Sequence, residues 1–144
     1  MKPIQYRIAS MNVISTEINS GAFHEGDGKV GVNNSFSFGL DMKQSLLHCK
    51  HELTMLQNEC VFLKIQLQTT FVIAPESLGA MKYEKVLTIP QGFLVQCASI
   101  SYGSMRGIVL LKAEQNGLNN VIIPPLYLDE TIKEPMTIAL DETS

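Results

Sequence analysis

Charge is sparse in this chain. Charged residues are 17% of its 144 positions, where roughly a quarter is usual in a soluble domain. So little polar surface leaves apolar area over for a partner. No basic run exists and the formal net charge is −3, which argues against a general nucleic-acid binder. Cysteine is scarce and unpaired by pattern: Cys49, Cys60 and Cys97 are odd in number and form no CxxC. That excludes a disulfide framework and points to reduced, mostly buried thiols in a cytoplasmic chain. Long apolar runs are missing too, with nothing close to the roughly 18–20 residues of a membrane span. The start, MKPIQYRIASMNV, lacks the apolar core of a signal peptide.

What is present suffices for one domain with a real core, since 45% of the residues are apolar. Ile4 to Ile18 alternates imperfectly and predicts a strand with a slip near Ser10–Asn12. Gly21–Gly31 reads as a loop. Val32, Phe36, Phe38, Leu40 and Met42 share one parity and predict a half-buried strand over Val30–Met42. Gln44–Leu56 and Cys60–Ile73 read as a long hairpin around the polar turn Gln57-Asn58-Glu59. Ala74–Thr88 is irregular, with space for one short helix. From Pro90 to Gln115, Phe93, Cys97, Ile100, Ser104, Ile108 and Leu111 recur at helical spacing, and Asn116-Gly117 is a stop signal. LNNVIIPPLYL follows. Pro124 and Pro125 lack backbone donors, so this is an extended strap and not a central strand. Asp129 to Ser144 holds five acidic residues and one Lys, which reads as a short solvated tail.

The helix is rich in small residues: Ala98, Ser99, Ser101, Gly103, Ser104 and Gly107. An interior glycine costs about 1 kcal/mol relative to alanine, so two of them four apart imply close packing. Either the chain's own sheet or a second subunit's helix satisfies that demand.

Catalytic patterns are thin. GAFHEGDGK fails the phosphate-loop spacing, because Asp27 stands where Lys must follow the second Gly. His48, Cys49, His51 and Cys60 do not make a metal set: on a strand Cys49 and His51 share a face while His48 points away. A buried cysteine and two partly exposed imidazoles are expected instead. Tyr102 and Arg106 lie one turn apart and could meet a carboxylate. Phe62, opposite in parity to Val61, Leu63 and Ile65, is expected on the other sheet face. No catalytic residue, metal or cofactor is expected, and the aromatic and Met residues suggest an apolar groove.

The order of parts resembles the SecB-like chaperones, over roughly residues 3–130. The strands IQYRIASMNVIS, VGVNNSFSFGLD, SLLHCKHELTML and ECVFLKIQLQTTFVI, and the segment ASISYGSMRGIVLLKAE followed by GLNNVIIPP, carry the likeness. It implies an α+β fold: a four-stranded antiparallel sheet with one long helix and an extended C-terminal strap packed on one face. The domain would span residues 1–130, with 131–144 as tail. The resemblance further implies a homo-dimer or dimer of dimers, with Ala98, Ser101, Ser104, Met105, Gly107, Ile108 and Leu111 at the interface. Unfolded polypeptides would bind without ATP at Phe71, Ile73, Leu78, Met81, Tyr83, Val86, Ile122 and Leu126. A module recognising one specific partner fits the same implied fold. Between Ser35 and Pro75 three acidic and three basic residues cancel, which argues against docking of the SecA motor.

Overall fold

The computed structural model describes residues 3–119 and 121–140. Four long strands form the main sheet: β1 (Tyr6–Ile18), β2 (Val30–Asp41), β3 (Leu46–Gln57) and β4 (Cys60–Ile73). Their antiparallel order is β1-β4-β3-β2, so β1 and β2 are the edges. Alternation dictates the two faces. Leu47, Cys49, His51, Leu53 and Met55 of β3 are buried, as are Leu63, Ile65, Leu67, Thr69, Phe71 and Ile73 of β4. The residues between them, such as Lys50, Glu52, Lys64 and Gln66, make the polar outer face. The β3–β4 turn has positive φ at both Asn58 and Glu59, the geometry that matches strand twist in a two-residue hairpin.

Bulges break the alternation at three places. β1 slips between Ile8 and Ser10 and again between Val13 and Ser15, flanking the region where the pattern faltered. The β3–β4 register slips between Met55 and Leu56. Val61 pairs with Leu56 and Leu63 with Met55, which leaves Phe62 as the inserted residue. Phe62 is therefore buried with Leu63 and packs on Phe23, ring centroids 4.8 Å apart. Its assignment to the opposite face does not hold, because parity counting fails across a bulge.

Past β4, the expected short helix is α1 (Pro75–Ala80), and a hairpin of β5 (Lys82–Tyr83) and β6 (Val86–Ile89) follows where no strand was foreseen. The long helix α2 (Gln91–Gln115) lies on the sheet through Phe93, Leu94, Cys97, Ala98, Ser101, Tyr102, Met105, Val109 and Ala113. It ends in a Schellman motif: Leu118 N donates to Ala113 O and Gly117 N to Glu114 O, with Gly117 at φ +76°. By length and mean hydropathy alone α2 also passes as a membrane-crossing helix, a test that the core helix of a sheet protein passes as well. Here its apolar side covers the sheet.

The strap then runs back along α2 to a one-turn helix, α3 (Leu128–Thr131), and a last strand, β7 (Met136–Ala139). β7 pairs with β6, giving a small sheet in the order β5-β6-β7. The reading of 131–144 as a solvated tail thus fails for residues 131–140. Met136, Ile138 and Leu140 alternate toward the core, while Pro135 sits before the strand where its missing donor does no harm. Residues 141–144 of that tail lie outside the described residues.

The core beneath α2 falls into two apolar clusters. One gathers Leu53, Met55, Leu63, Ile65, Leu67, Met105 and Val109. The other gathers Leu47, Cys49, Phe71, Ile73, Leu87, Ile89, Phe93 and Cys97. A polar belt lies between them on each element: His51 on β3, Thr69 on β4 and Ser101 on α2, all at 0% exposure.

Candidate functional site

The eight residues expected to bind peptide divide into three groups. Phe71, Ile73 and Leu78 are buried in the second cluster, where they hold β4 and α1 together and meet no solvent. Met81, Tyr83 and Val86 lie around the β5–β6 hairpin, with Tyr83 79% and Val86 42% exposed. Ile122 stands out from the strap at 73% exposure, and half-buried Leu126 joins Ala98, Tyr102 and Leu128 beside Phe36 and Phe38. The hairpin leads into the first turn of α2, whereas Ile122 precedes the residue held by Arg106, ~24 Å farther along the helix axis at 1.5 Å per residue. One groove does not gather all eight. Tyr127, 76% exposed, is an apolar surface residue that the sequence reading missed; its place after Pro124-Pro125, which alternation cannot parse, hid it.

Two hollows flank the small sheet. The larger, about 830 Å³, is lined by Ile4, Met81, Pro90, Thr88 and Glu76 among others. The smaller, about 320 Å³, lies between Phe36 and Phe38 of β2, Leu94 of α2, and the segment Thr131–Met136. It opens beside the free edge of β2. That edge is regular: its twelve residues pair with β3 without a slip, and Val30 to Leu40 contains no charge or proline. An edge of this kind presents unpaired N–H and C=O groups to any extended chain.

Tyr102 and Arg106 meet backbone carbonyls of the strap and not the carboxylate anticipated for them. The Tyr102 hydroxyl donates to Pro124 O at 2.6 Å and Arg106 Nε to Ile123 O at 3.1 Å. A prolyl strap cannot donate from Pro124 or Pro125, so helix side chains hold it by its acceptors. Burial raises the Tyr102 pKa, against the opposing pull of the Arg106 charge and the Asn34 side chain.

His51, expected to be partly exposed, is buried. Its ring stacks on Phe36 at 4.3 Å, and Nε2 lies 2.8 Å from Asn34 Oδ1. Burial lowers its pKa to about 4, so the ring is neutral at pH 7. His48 is the partly exposed imidazole, with Nδ1 3.0 Å from Thr70 Oγ1. Cys49 and Cys97 are raised to about 12 by burial, Cys49 against a smaller pull from the Ser101 hydroxyl and Cys97 with help from Cys49. Such thiols are poor nucleophiles.

The seven expected interface residues also divide. Ala98, Ser101 and Met105 face the sheet and are fully buried, Ser104 and Ile108 are half-buried, and Gly107 and Leu111 are exposed. A Cβ built on Gly103 or Gly107 would touch nothing within 4 Å. Contact with the chain's own sheet therefore does not account for these glycines. Apolar surface is exposed on the same helix, Leu110 and Leu111 at 45% and 56%, and separately on β1, where Ile8, Val13 and Ile14 stand at 43–46%.

No protein-family model and no curated protein matches the chain. Among solved structures, it is similar to the SecB-like chaperone Rv1957 of Mycobacterium tuberculosis, determined in complex with a ChAD peptide from the Rv1956 HigA1 antitoxin. The TM-score is 0.60 at 12% sequence identity, covering 84% of this chain and 90% of that one. At that identity the likeness is one of fold: the four-stranded antiparallel sheet with one long helix is the SecB-like architecture.

Proposed function

We propose that this chain is an ATP-independent holdase, a cytoplasmic protein that grips non-native polypeptides and performs no chemistry on them. The observation that carries the reading is the uncharged, unbroken free edge of β2 beside the hollow lined by Phe36, Phe38 and Leu94. Main-chain pairing along such an edge gives affinity with little demand on sequence, and apolar hollows add non-directional attraction. Met81, Tyr83, Val86, Ile122 and Leu126 extend the apolar surface, while Phe71, Ile73 and Leu78 support it from within. Two subunits pack through the Gly103–Gly107 face of α2 and the apolar side of β1, as a dimer or dimer of dimers. Among the described residues the outer sheet face mixes Arg7, Glu17, Lys50, Glu52 and Lys64, which argues against docking of the SecA motor.

The test is suppression of aggregation of several unrelated clients at stoichiometric amounts without nucleotide. Ser35→Lys, opposite Glu52, with Ser37→Glu, opposite Lys50, charges the β2 edge and should weaken suppression severalfold without lowering the melting temperature. Failure with every client ends the proposal. A second reading draws on the similar structure, which holds one antitoxin peptide: a module that recognises a single partner protein, linked to export or to a toxin–antitoxin system. Co-purification of one stoichiometric partner without any holdase effect would favour it.

A further inference from the structure

The middle strand of the small sheet is firmly held and its outer neighbour is not. Leu87 and Ile89 of β6 are at 0% exposure in the second cluster. β7 has four residues, none of them fully buried: Met136, Ile138 and then Leu140 are half-covered, while Thr137 and Ala139 face solvent. It pairs Leu87 with Ile138 and Thr88 with Thr137, and Leu140 N donates to Lys85 O at 2.7 Å. Lys133, Glu134 and Pro135, which lead into it, are exposed. A short edge strand with few buried contacts belongs to the low-stability end of local opening.

The chain itself shows what the β6 edge accepts: an extended antiparallel segment, uncharged from Met136 to Leu140, with apolar side chains at alternate positions. The same segment, through Thr131–Met136, also walls the hollow beside Phe36 and Phe38. Its departure would join the β6 edge to that hollow. We infer that β7 is a built-in occupant of a strand-accepting edge, and that an extended polypeptide with alternating apolar residues replaces it on β6. The inference deepens the polypeptide-binding proposal and rests on it. A tethered strand competes at a millimolar effective concentration. The incoming chain succeeds by length, because it gains the uncovered Phe36–Phe38 hollow that β7 does not fill.

A cross-strand disulfide tests this. Thr88 and Thr137 are directly opposed, and opposed Cα atoms in antiparallel strands lie within disulfide reach. In the full chain carrying Cys60→Ser, Thr88→Cys and Thr137→Cys, oxidation should lower at least tenfold the binding of a fluorescent peptide made of the Lys133–Leu140 sequence with an apolar N-terminal extension long enough to reach the Phe36–Phe38 hollow, and reduction should restore it. A chain ending at Pro135 should bind that peptide at least tenfold more tightly than the full chain, and bind poorly to a version with serine at the positions of Met136, Ile138 and Leu140. Equal binding by the oxidised and reduced forms overturns the inference, whether or not the shortened chain folds. If both forms protect clients equally, the edge inference falls and the holdase stands. If no form protects a client yet the lock governs peptide binding, the reverse holds.

Discussion

The two edges of the main sheet are made differently. β1 is slipped twice, carries Arg7 and Glu17, and turns Ile8, Val13 and Ile14 to solvent. β2 runs twelve residues in unbroken register and has no charge before Asp41. The first edge offers side chains, the second backbone. Bulges and charges blunt an edge against strand addition, so β1 suits packing of an apolar face, whereas β2 suits pairing with an extended chain. The edges are also fastened differently. Tyr6 ties β1 to the core through edge-on contacts with Phe71 and Phe93 at 5.9 and 5.1 Å, and its hydroxyl accepts from Gln96 Nε2 at 2.6 Å. β2 is fastened through Phe36 and Asn34 to His51.

The comparison breaks most visibly at Phe71. Phe71→Ala removes the ring that supports β1 and should lower unfolding free energy by about 3–5 kcal/mol, read by urea titration. Amides of β1 should lose more hydrogen-exchange protection than those of β2. Equal loss along both edges would contradict the division of supports.

Acid probes the other edge. His51 is held neutral with a pKa near 4, whereas unfolded histidine titrates near 6.5. Between those values the unfolded chain binds the extra proton. Stability from this group is full above pH ~6.5 and declines as pH falls toward 4, by on the order of 3 kcal/mol. Exchange should quicken first along β2, and His51→Phe should flatten the pH dependence. An unchanged slope in that variant would refute the assignment.

The smallest of these effects concerns the β1 side. A Cβ added at position 107 meets nothing within 4 Å beyond the helix's own turns, and Gly107→Leu replaces a poor helix former. The protomer's stability should hold or rise slightly, while assembly weakens by about 1–3 kcal/mol through overpacking between subunits. Light scattering separates the two. A monomer at micromolar concentration in the unsubstituted protein would remove the premise.

The sheet, the β3–β4 hairpin and the long helix were legible because each rests on a sustained period, 2 for β3 and β4 and 3.6 for α2. What escaped was local. Phe62 was placed on the wrong face because a bulge inserts a residue that parity cannot see. β7 was read as tail because five acids between Asp129 and Ser144 dominate the composition and mask the alternation of Met136, Ile138 and Leu140. The groove residues were drawn from family likeness. Burial at Phe71, Ile73 and Leu78 depends on where α1 and β6 fold back, which no short window contains. His51 looked like a surface imidazole because the stacked Phe36 belongs to another strand.

The belt between the two core clusters leaves Nδ1 of His51 and Oγ1 of Thr69 without a hydrogen-bond partner among the described residues, while Ser101 turns its hydroxyl toward Cys49. A buried polar atom that no protein group pairs costs about 1–3 kcal/mol. The middle of the molecule is thus its readiest target for engineering: Thr69→Val, nearly the same shape without the hydroxyl, should raise the melting temperature by several degrees. A variant stabilised this way would reveal whether the proposed grip on non-native chains depends on the freedom of the two core clusters to shift against each other.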